Sequence, residues 1–299
     1  LVTLSERLLS LDVPFSVLSV QSSVKLALGG SIHIDDNIEN ENSYQHLAFV
    51  PKQTIQALGN KQFCQDYNIK YPYMTGAMAN GIASVELVEA IAKADMMASF
   101  GAAGLSLAEV EKAIQCLQAA IPDKSFAFNL IYSPNEKGHE DAIVDLYLRY
   151  GIDLVEASAY MKLTLPVVRY RVKGIYKDVQ GNVVVPNRII AKASRVELAS
   201  KWFSPPPEKL LKELLAKGAI TNEEAELAKT IPMAQDLTVE ADSGGHTDNR
   251  PAITLLPTIL ALRDQIQAEY KYTHKLRVGA AGGIATPSSA LGAFAMGAA

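Results

Sequence analysis

Residues 96–131, MMASFGAAGLSLAEVEKAIQCLQAAIPDKSFAFNLI, contain two short apolar runs separated by one helical period. The apolar runs cover 96–100 and 125–131, and the helical period covers 106–121. Ser106 with Glu109 three residues later is the pattern of a capping box, which marks the beginning of a helix. Two near-continuous apolar strands joined by a helix predict a βαβ unit, whose strands are parallel and buried on both faces.

The same alternation of strand and helix extends over most of the chain. Further strands are predicted at 71–78, 153–157, 188–193, 237–241 and 277–281, and further helices at 84–94, 139–150, 196–202, 252–270 and 287–296. Seven strands, most of them followed by a helix, predict an α/β fold of the TIM (β/α)8 type that here lacks its eighth strand. A doubly wound open sheet is the alternative, but the chain contains no GxGxxG and no GxxxxGKS/T motif.

The alternation of predicted strands and helices begins near residue 69, which divides the chain into two predicted parts. Residues 1–68 are expected to form an N-terminal subdomain or extension, and residues 69–299 are expected to form the barrel. The chain begins at Leu1 without a methionine and ends at Ala299 directly after a helical pattern. We therefore expect a barrel that is truncated at its C-terminus, in a fragment of a longer protein.

Two insertions interrupt the alternation. Residues 167–185 are rich in valine and tyrosine around a Gly-Asn turn, which predicts a β-hairpin. Residues 204–230 begin with three prolines and then show two helical periods, the second introduced by a capping box formed by Thr221 and Glu224. We expect this second insertion to be a helical hairpin that precedes the sixth strand.

Composition excludes several classes of protein. The 299 residues include 28 Lys and Arg against 32 Asp and Glu, a net charge of −4 that argues against nucleic-acid binding through bulk charge. Two cysteines cannot build a disulfide scaffold or a four-cysteine zinc site, and the histidines lack metal-ligand spacing, so no metal site is predicted. The low cysteine count also favours a reducing, cytoplasmic location. No apolar run of 18 residues appears, so no membrane span is predicted, and the first residues lack the pattern of a signal peptide.

The stretch EADSGGHTDNRP, residues 240–251, follows the sixth predicted strand and precedes a helix. In a barrel this loop lies on the catalytic face. Gly244 and Gly245 would let the backbone approach a flat or anionic ligand, and His246 could exchange a proton near neutral pH. An ordinary helix-capping loop with a surface histidine is the alternative interpretation.

The stretch VGAAGGIATP, residues 278–287, repeats the order of strand, glycines and helix start. Free backbone N–H groups and the positive end of a helix together favour an anion, and late βα-loops of barrels often hold a cofactor phosphate. Gly282 and Gly283 are therefore candidates for phosphate binding. The alternative is a tight turn that needs positive φ angles.

Two polar residues stand out within apolar strands. Asn129 lies near the end of its strand, where an amide could bind the edge of a heterocycle, although a lone asparagine is more often a turn residue. Lys192 interrupts an otherwise apolar run, which is costly unless the ammonium group is paired or functional. A lysine that extends to solvent from a strand end is its alternative. A basic face at Arg169, Arg171, Lys173 and Lys177 is a weaker candidate for docking an acidic carrier protein.

Taken together, these motifs resemble the nitronate monooxygenase / 2-nitropropane dioxygenase superfamily of FMN-binding barrels. The stretch at 240–251 resembles the form of the Gly-Gly-His loop found in the PfaD branch, the trans-acting enoyl reductases of polyunsaturated fatty acid and polyketide synthases. Residues 187–195 (NRIIAKASR), 202–207 (WFSPPP) and 231–234 (IPMA) resemble further segments of that branch. The resemblance covers nearly the whole chain, including both insertions.

The resemblance implies an FMN-dependent reductase of 2-enoyl thioesters, with NADPH or NADH as electron donor and an acyl carrier protein as partner. It implies that His246 and Lys192 are catalytic, with His246 as proton donor. Cofactor binding is implied for backbone groups of the segment Thr75–Met78, with Ala77 and Met78 as the candidates. It is also implied for Asn129, Lys192, Gly244, Gly245, Gly282 and Gly283, the last two at the FMN phosphate.

Three other functions remain to be weighed. Nitronate oxidation on the same fold and cofactor is one, although a small nitronate needs no surface for docking a carrier. A non-catalytic flavin-binding subunit of a synthase is the second. Acyl transfer is disfavoured because no Gly-x-Ser-x-Gly turn is present. Homo-oligomer formation, acyl-chain specificity and the product of the pathway are left open by the sequence.

Overall fold

The computed structural model describes residues 2–8, 10–32, 44–136, 138–243 and 247–299. The chain divides into two compact units, Leu1–Leu58 and Gly59–Ala299. The division lies before the expected boundary at residue 68, because Tyr67 is buried in an apolar cluster of the second unit. His33, one of the histidines of the sequence, lies outside the described residues.

The first unit is built on a small antiparallel sheet, which the sequence analysis did not predict. Strand β1 pairs with both β2 and β3 and is the central strand. The elements of this unit are α1 (Leu4–Leu8), β1 (Phe15–Val20), β2 (Ser23–Ala27), β3 (Gln45–Val50) and a short 3-10 helix (Ile55–Ala57).

The second unit contains seven parallel strands in one curled sheet, as predicted. They are β4 (Met74–Thr75), β5 (Met97–Phe100), β6 (Ala127–Ile131), β7 (Leu154–Ser158), β10 (Arg188–Ala193), β11 (Asp236–Glu240) and β12 (Arg277–Ala281). Each strand pairs with the next of this series, so the sheet runs in chain order from β4 to β12. This is a half-barrel of the TIM type, and the predicted fold class is confirmed.

Helices follow most of these strands and cover the outer face of the sheet, whereas one helix precedes the first strand and contributes Phe63 to an apolar cluster with Met97 and Ala127. The helices are α2 (Lys61–Asp66), α3 (Val85–Lys93), α4 (Leu107–Ala120), α5 (His139–Tyr150), α6 (Leu165–Val172), α7 (Val196–Phe203), α8 (Glu208–Ala216), α9 (Asn222–Ala228), α10 (Ala252–Tyr270) and α11 (Pro287–Ala295). Both predicted capping boxes form, at the starts of α4 and α9. The helical insertion is the pair α8 and α9.

The β-hairpin insertion is shorter than predicted. It consists of β8 (Tyr176–Lys177) and β9 (Val183–Val184), which pair antiparallel, whereas residues 167–172 belong to α6. The helix forms because Thr164 caps its first turn, and because Val167, Val168 and Val172 are all buried there.

The predicted basic docking face is wrong. Arg171 is buried, and its guanidinium donates to the backbone carbonyls of Pro232 and Asn187 at 3.1 and 2.9 Å. Arg169 instead pairs with Asp141 and Asp145 of the preceding helix. These cations therefore stabilise the fold and are not presented together to a partner.

The inner face of the sheet begins with an apolar layer. Because alternate residues of a strand point to the same face, one side chain from each of the strands β5, β6, β7 and β10 contributes to this layer. Its members are Met97, Ala127, Leu154 and Ile190, which pack against Tyr67. The apolar layer closes the amino-terminal side of the half-barrel interior and leaves the carboxyl-terminal side for other side chains.

Candidate active site

The next inward-facing layer, two residues further along each strand, is polar. It contains Ser99, Asn129, Glu156 and Lys192, and Thr238 lies beside Lys192 on the neighbouring strand. A polar layer at the carboxyl ends of parallel strands is where catalytic groups lie in (β/α) barrels. Among the described residues, the side-chain oxygen of Ser99 is buried there without a hydrogen-bond partner.

A cavity of about 410 Å³ opens onto this layer. Its volume is within the range of sites for small molecules and cofactors. Glu156, Lys192 and Glu240 contribute charged groups to its wall, which also contains apolar side chains such as Met74 and Ile284. The cavity therefore combines an apolar surface with a few convergent charges.

Lys192 is paired with two carboxylates in this wall. Its Nζ lies 3.0 Å from Oε1 of Glu240 and 3.8 Å from Oε1 of Glu156, and its side chain is 17% exposed. Burial disfavours the charged form of the lysine, but the attraction of Glu156 and Glu240 outweighs it and raises the pKa of Lys192 above its ordinary value. The ammonium group is thus charged at neutral pH. These three side chains are called the lysine–glutamate cluster.

Glu156 also binds backbone on the opposite side of the cluster. Its Oε2 accepts a hydrogen bond of 2.7 Å from the N–H of Ala77, in the loop after β4. Backbone groups of Ala77 and Met78 were predicted to contact a cofactor. The N–H of Ala77 instead donates to Glu156, and the carbonyl oxygen of Met78 accepts from the N–H of Ala83.

Asn129 is buried, and both N–H groups of its side-chain amide lie near hydrogen-bond acceptors of the protein. The Nδ2 atom donates to the backbone oxygen of Glu156 at 3.1 Å and to the hydroxyl of Ser158 at 2.8 Å. Tyr147 donates to the backbone oxygen of Asn129 at 2.7 Å. The side chain of Asn129 therefore ties β6 to β7, and Asn129 is not among the residues that line the cavity. Its Oδ1 is the side-chain group that these two hydrogen bonds leave for a ligand.

The Gly282–Gly283 turn lines the cavity and leads into α11. Gly282 has a φ of +97°, and a Cβ at this position would lie 2.3 Å from the backbone oxygen of Ala241. Gly283 has a φ of +69°. Within the described part of the chain, no acceptor is found for the N–H groups of Gly283 and Ile284. The turn thus presents backbone donors at the positive end of a helix, which suits an anion.

The loop that contains Gly244, Gly245 and His246 lies outside the described residues, so their predicted roles remain predictions. Its flanks are well anchored. Asp248 accepts a bidentate pair of 2.9 Å bonds from Arg195, and this pairing, with a hydroxyl of Ser194, holds the pKa of Asp248 well below its usual range. On the other side, the Asp242 carboxylate accepts from the hydroxyl of Thr247 at 2.7 Å.

A buried ion pair lies at the amino-terminal side of the cavity. Arg277 donates to Asp236 at 2.6 and 3.0 Å and to Asp66 at 2.5 Å, while the hydroxyl of Tyr67 donates to Asp236 at 2.7 Å. Arg277 also stacks over the rings of Phe63 and Tyr67. This network attaches α2 to β11 and β12.

The described residues offer neither a cluster of metal ligands nor a membrane-spanning helix. No group of three or more His, Cys, Asp or Glu side chains there could hold a metal ion. Within that same part of the chain, none of the helices has the length and hydropathy needed to span a bilayer.

The chain is similar in sequence to proteins of polyketide and polyunsaturated fatty acid synthesis. No protein-family model matches the chain. It is 46% identical over 246 residues to the polyketide biosynthesis protein PksE of Bacillus subtilis (strain 168), a match that covers 82% of this chain and 32% of PksE. It is 49% identical over 276 residues to a polyunsaturated fatty acid synthase subunit of Thraustochytrium sp. (strain ATCC 26185 / S-3), covering 92% of this chain and 13% of that protein.

A solved structure, the enoyl reductase domain of MlnA from the macrolactin biosynthesis cluster of Bacillus amyloliquefaciens, matches with 37% identity and a TM-score of 0.79. This match covers 82% of this chain and 55% of that one. The chain is homologous to the PfaD-like enoyl reductases.

The chain spans about a third or less of the two curated relatives named above. A structure of FabK from Thermotoga maritima matches with 20% identity and a TM-score of 0.53, which supports the fold alone. The resemblance to the PfaD branch is thus confirmed, and the homologues indicate an oxidoreductase fold associated with polyketide and polyunsaturated fatty acid synthesis.

Of the predicted site residues, the structure brings Lys192, Gly282 and Gly283 to one cavity. Neither Glu156 nor the pairing of Glu240 with Lys192 was predicted from the sequence. Glu156 interrupts the apolar run LVEAS in the same way that Lys192 interrupts its own strand. The signal that singled out the lysine would therefore also have found Glu156.

A substitution in the Gly282–Gly283 turn tests the prediction that this turn binds the phosphate of FMN. Gly282→Ala is expected to weaken binding of FMN by at least tenfold, because its Cβ would meet the Ala241 carbonyl oxygen and force the turn to move. Fluorescence titration of the purified protein with FMN measures this. The matched control is Gly292→Ala, since a Cβ at Gly292 meets nothing within 4 Å. Equal affinities for FMN in both variants would contradict a role of the turn.

Proposed function

We propose that the chain forms an FMN-dependent enoyl reductase that acts in trans on 2-enoyl thioesters carried by an acyl carrier protein of a fatty acid or polyketide synthase. The observation that carries this proposal is the lysine–glutamate cluster in a cavity whose other wall is the Gly282–Gly283 turn. The names of the homologues, which belong to synthases and to an enoyl reductase domain, support it.

The residues present fit a flavin mononucleotide. Gly282 and Gly283 would bind its phosphate with backbone N–H groups, in a turn that excludes a side chain at Gly282 because its Cβ would lie 2.3 Å from the backbone oxygen of Ala241. Lys192 and the Oδ1 of Asn129 would bind polar edges of the ring, and Met78 and the backbone at Gly244 and Gly245 would contact it. FMN supplies the hydride chemistry when bound, with NADPH or NADH as the proposed source of electrons.

Two residues of the chain would stabilise the negative charge that develops on the substrate and donate the proton that it takes up. Reduction of a 2-enoyl thioester adds hydride at the β-carbon and a proton at the α-carbon, with negative charge developing on the thioester oxygen. The Lys192 ammonium, held charged by its two carboxylates, would stabilise that oxygen. His246 is proposed to donate the proton to the α-carbon. A cytoplasmic location remains a prediction.

Absorbance spectroscopy of the purified protein supplied with FMN tests the proposal. Under anaerobic conditions NADPH is expected to bleach the flavin bands, and a crotonyl thioester is expected to restore them. Recovery only with oxygen and a nitronate would overturn enoyl reduction in favour of nitronate oxidation. Failure to bind FMN would overturn both activities and favour a non-catalytic component of a synthase.

A further inference from the structure

A single carboxylate connects two walls of the cavity. The Oε2 of Glu156 accepts from the N–H of Ala77 at 2.7 Å, and its Oε1 lies 3.8 Å from Nζ of Lys192. A Cβ built on Gly76 would lie 3.2 Å from the same Oε1, so the backbone before Ala77 also passes close to the carboxylate. Glu156 thus joins the end of β10 to the loop after β4.

Charge balance alone does not explain this arrangement. Glu240 is 3.0 Å from the ammonium and, at 32% exposed, can balance the charge of Lys192 while keeping much of its own hydration. Glu156 is 5% exposed, and burying a second carboxylate beside one lysine costs free energy unless its other hydrogen bonds are made. The hydrogen bond from Ala77 is the contact that Glu156 makes and Glu240 does not.

The loop after β4 is held at its two ends by other contacts. Thr75 pairs with Ala98 in the sheet, and the carbonyl oxygen of Met78 accepts from Ala83. Gly101 lies so close to that oxygen that a Cβ on Gly101 would be 1.7 Å from it. Between these attachments, Glu156 is the side chain that binds the backbone at Ala77.

We propose that Glu156 is a positioning residue that holds the Lys192 ammonium and the loop at residues 76–78 in a fixed relation across the cavity. The catalytic consequence rests on the proposed function, because Lys192 and this loop are the groups assigned to the cofactor and substrate. The physical coupling itself is a property of the protein and can be measured without turnover.

Three variants separate the hydrogen bond of Glu156 with Ala77 from its ion pair with Lys192. Glu156→Gln keeps an oxygen that can accept from Ala77 but removes the charge beside Lys192. Glu156→Ala removes both contacts. Glu240→Gln is the matched control, because it neutralises the other carboxylate of the cluster and makes no contact with Ala77 in the structure.

Amide hydrogen exchange over residues 74–83 reports on the loop. Glu156→Ala is expected to accelerate exchange at Ala77 by more than tenfold, while Glu156→Gln and Glu240→Gln stay within about threefold of the unsubstituted protein. Unchanged exchange at Ala77 in Glu156→Ala would overturn the proposal. Circular dichroism checks that each variant is folded. If Glu156→Ala does not fold, the proposal is tested by the rate of acylation of Lys192 in Glu156→Gln, described next.

Acylation of Lys192 by an amine-reactive reagent reports on the ammonium, with the exposed Lys201 as internal reference. Removing either carboxylate increases the unprotonated fraction, and a fall of one unit in pKa gives about a tenfold faster reaction. We expect acceleration of that order at Lys192 in Glu156→Gln and in Glu240→Gln, with Lys201 unchanged. Acceleration in Glu240→Gln alone would show that Glu156 does not hold the ammonium.

Neither readout uses flavin, NADPH or a thioester. A protein without reductase activity would therefore still give a result for the coupling, and a failed coupling would leave the spectroscopic test of the proposed function intact.

Discussion

Lys192→Met is expected to lower kcat for reduction of a crotonyl thioester by a factor on the order of 10²–10³, the effect of removing one electrostatic group from an enzyme site. The methionine keeps the length and apolar stem of the lysine but leaves Glu156 and Glu240 facing the cavity without a cation. Stopped-flow absorbance of the flavin bands measures the rate for the protein loaded with FMN.

Two comparisons make this result specific. Lys192→Arg keeps a positive charge and is expected to retain more activity than Lys192→Met, although the planar guanidinium cannot reproduce the ammonium geometry. Lys201→Met removes an exposed lysine from α7 and is expected to leave kcat unchanged. Because Glu156 and Glu240 raise the pKa of Lys192 above its ordinary value, no loss of rate from its deprotonation is expected between about pH 6 and 9. A Lys192→Met rate within threefold of the original would contradict the assignment.

Arg277→Met is expected to destabilise the second unit by about 3–5 kcal/mol, the usual cost of leaving one buried ion without its partner. Arg277 is 4% exposed and donates to both oxygens of Asp236 and to Asp66. The methionine preserves apolar contact with Phe63 and Tyr67 but leaves the carboxylate of Asp236 with the hydroxyl of Tyr67 as its remaining partner among these side chains. Urea denaturation followed by Trp202 fluorescence measures the free energy of unfolding.

Trp202 suits this measurement because it is the one tryptophan of the chain and is buried in the second unit. The double variant Arg277→Met with Asp236→Asn should be about 1–3 kcal/mol more stable than Arg277→Met alone, because it leaves no unpaired buried charge at Asp236. Arg149→Met is the control: its pair with Glu111 is exposed, so its loss should cost less than about 1 kcal/mol. An equal, small cost for both single variants would contradict the buried-pair account.

The sequence predicted the parallel sheet because continuous apolar runs have few alternatives to a strand buried on both faces. It failed where tertiary contacts shorten an element. The run at 71–78 forms a strand only at Met74–Thr75, since Pro72 has no N–H to donate and Tyr71 donates to Asp95 outside the sheet. The half-exposed strands of the first unit were missed because their apolar signal is weak beside the polar run at 35–42.

The part of the site that could be predicted is the part where a charged residue interrupts an apolar strand, as Lys192 does. The partners of Lys192 could not be predicted, because they depend on strand register. Lys192 pairs with Thr238 across β10 and β11. Glu240 lies two residues further along β11, on the same face of the sheet, and so reaches the ammonium group. Asp236 and Arg277 begin their strands directly opposite each other, and no periodicity in either segment indicates that register.

The chain-order arrangement of the sheet also has a consequence for how the protein folds. Each parallel pair joins strands that are consecutive members of the series β4 to β12, so most of the sheet can grow by adding one βα unit to the last. The bond between Asp66 and Arg277 joins residues 211 positions apart, and such loop closure becomes favourable only once the intervening units are in place. We expect the attachment of α2 to be a late event in folding, and the ion pair that secures it to slow unfolding more than it speeds folding.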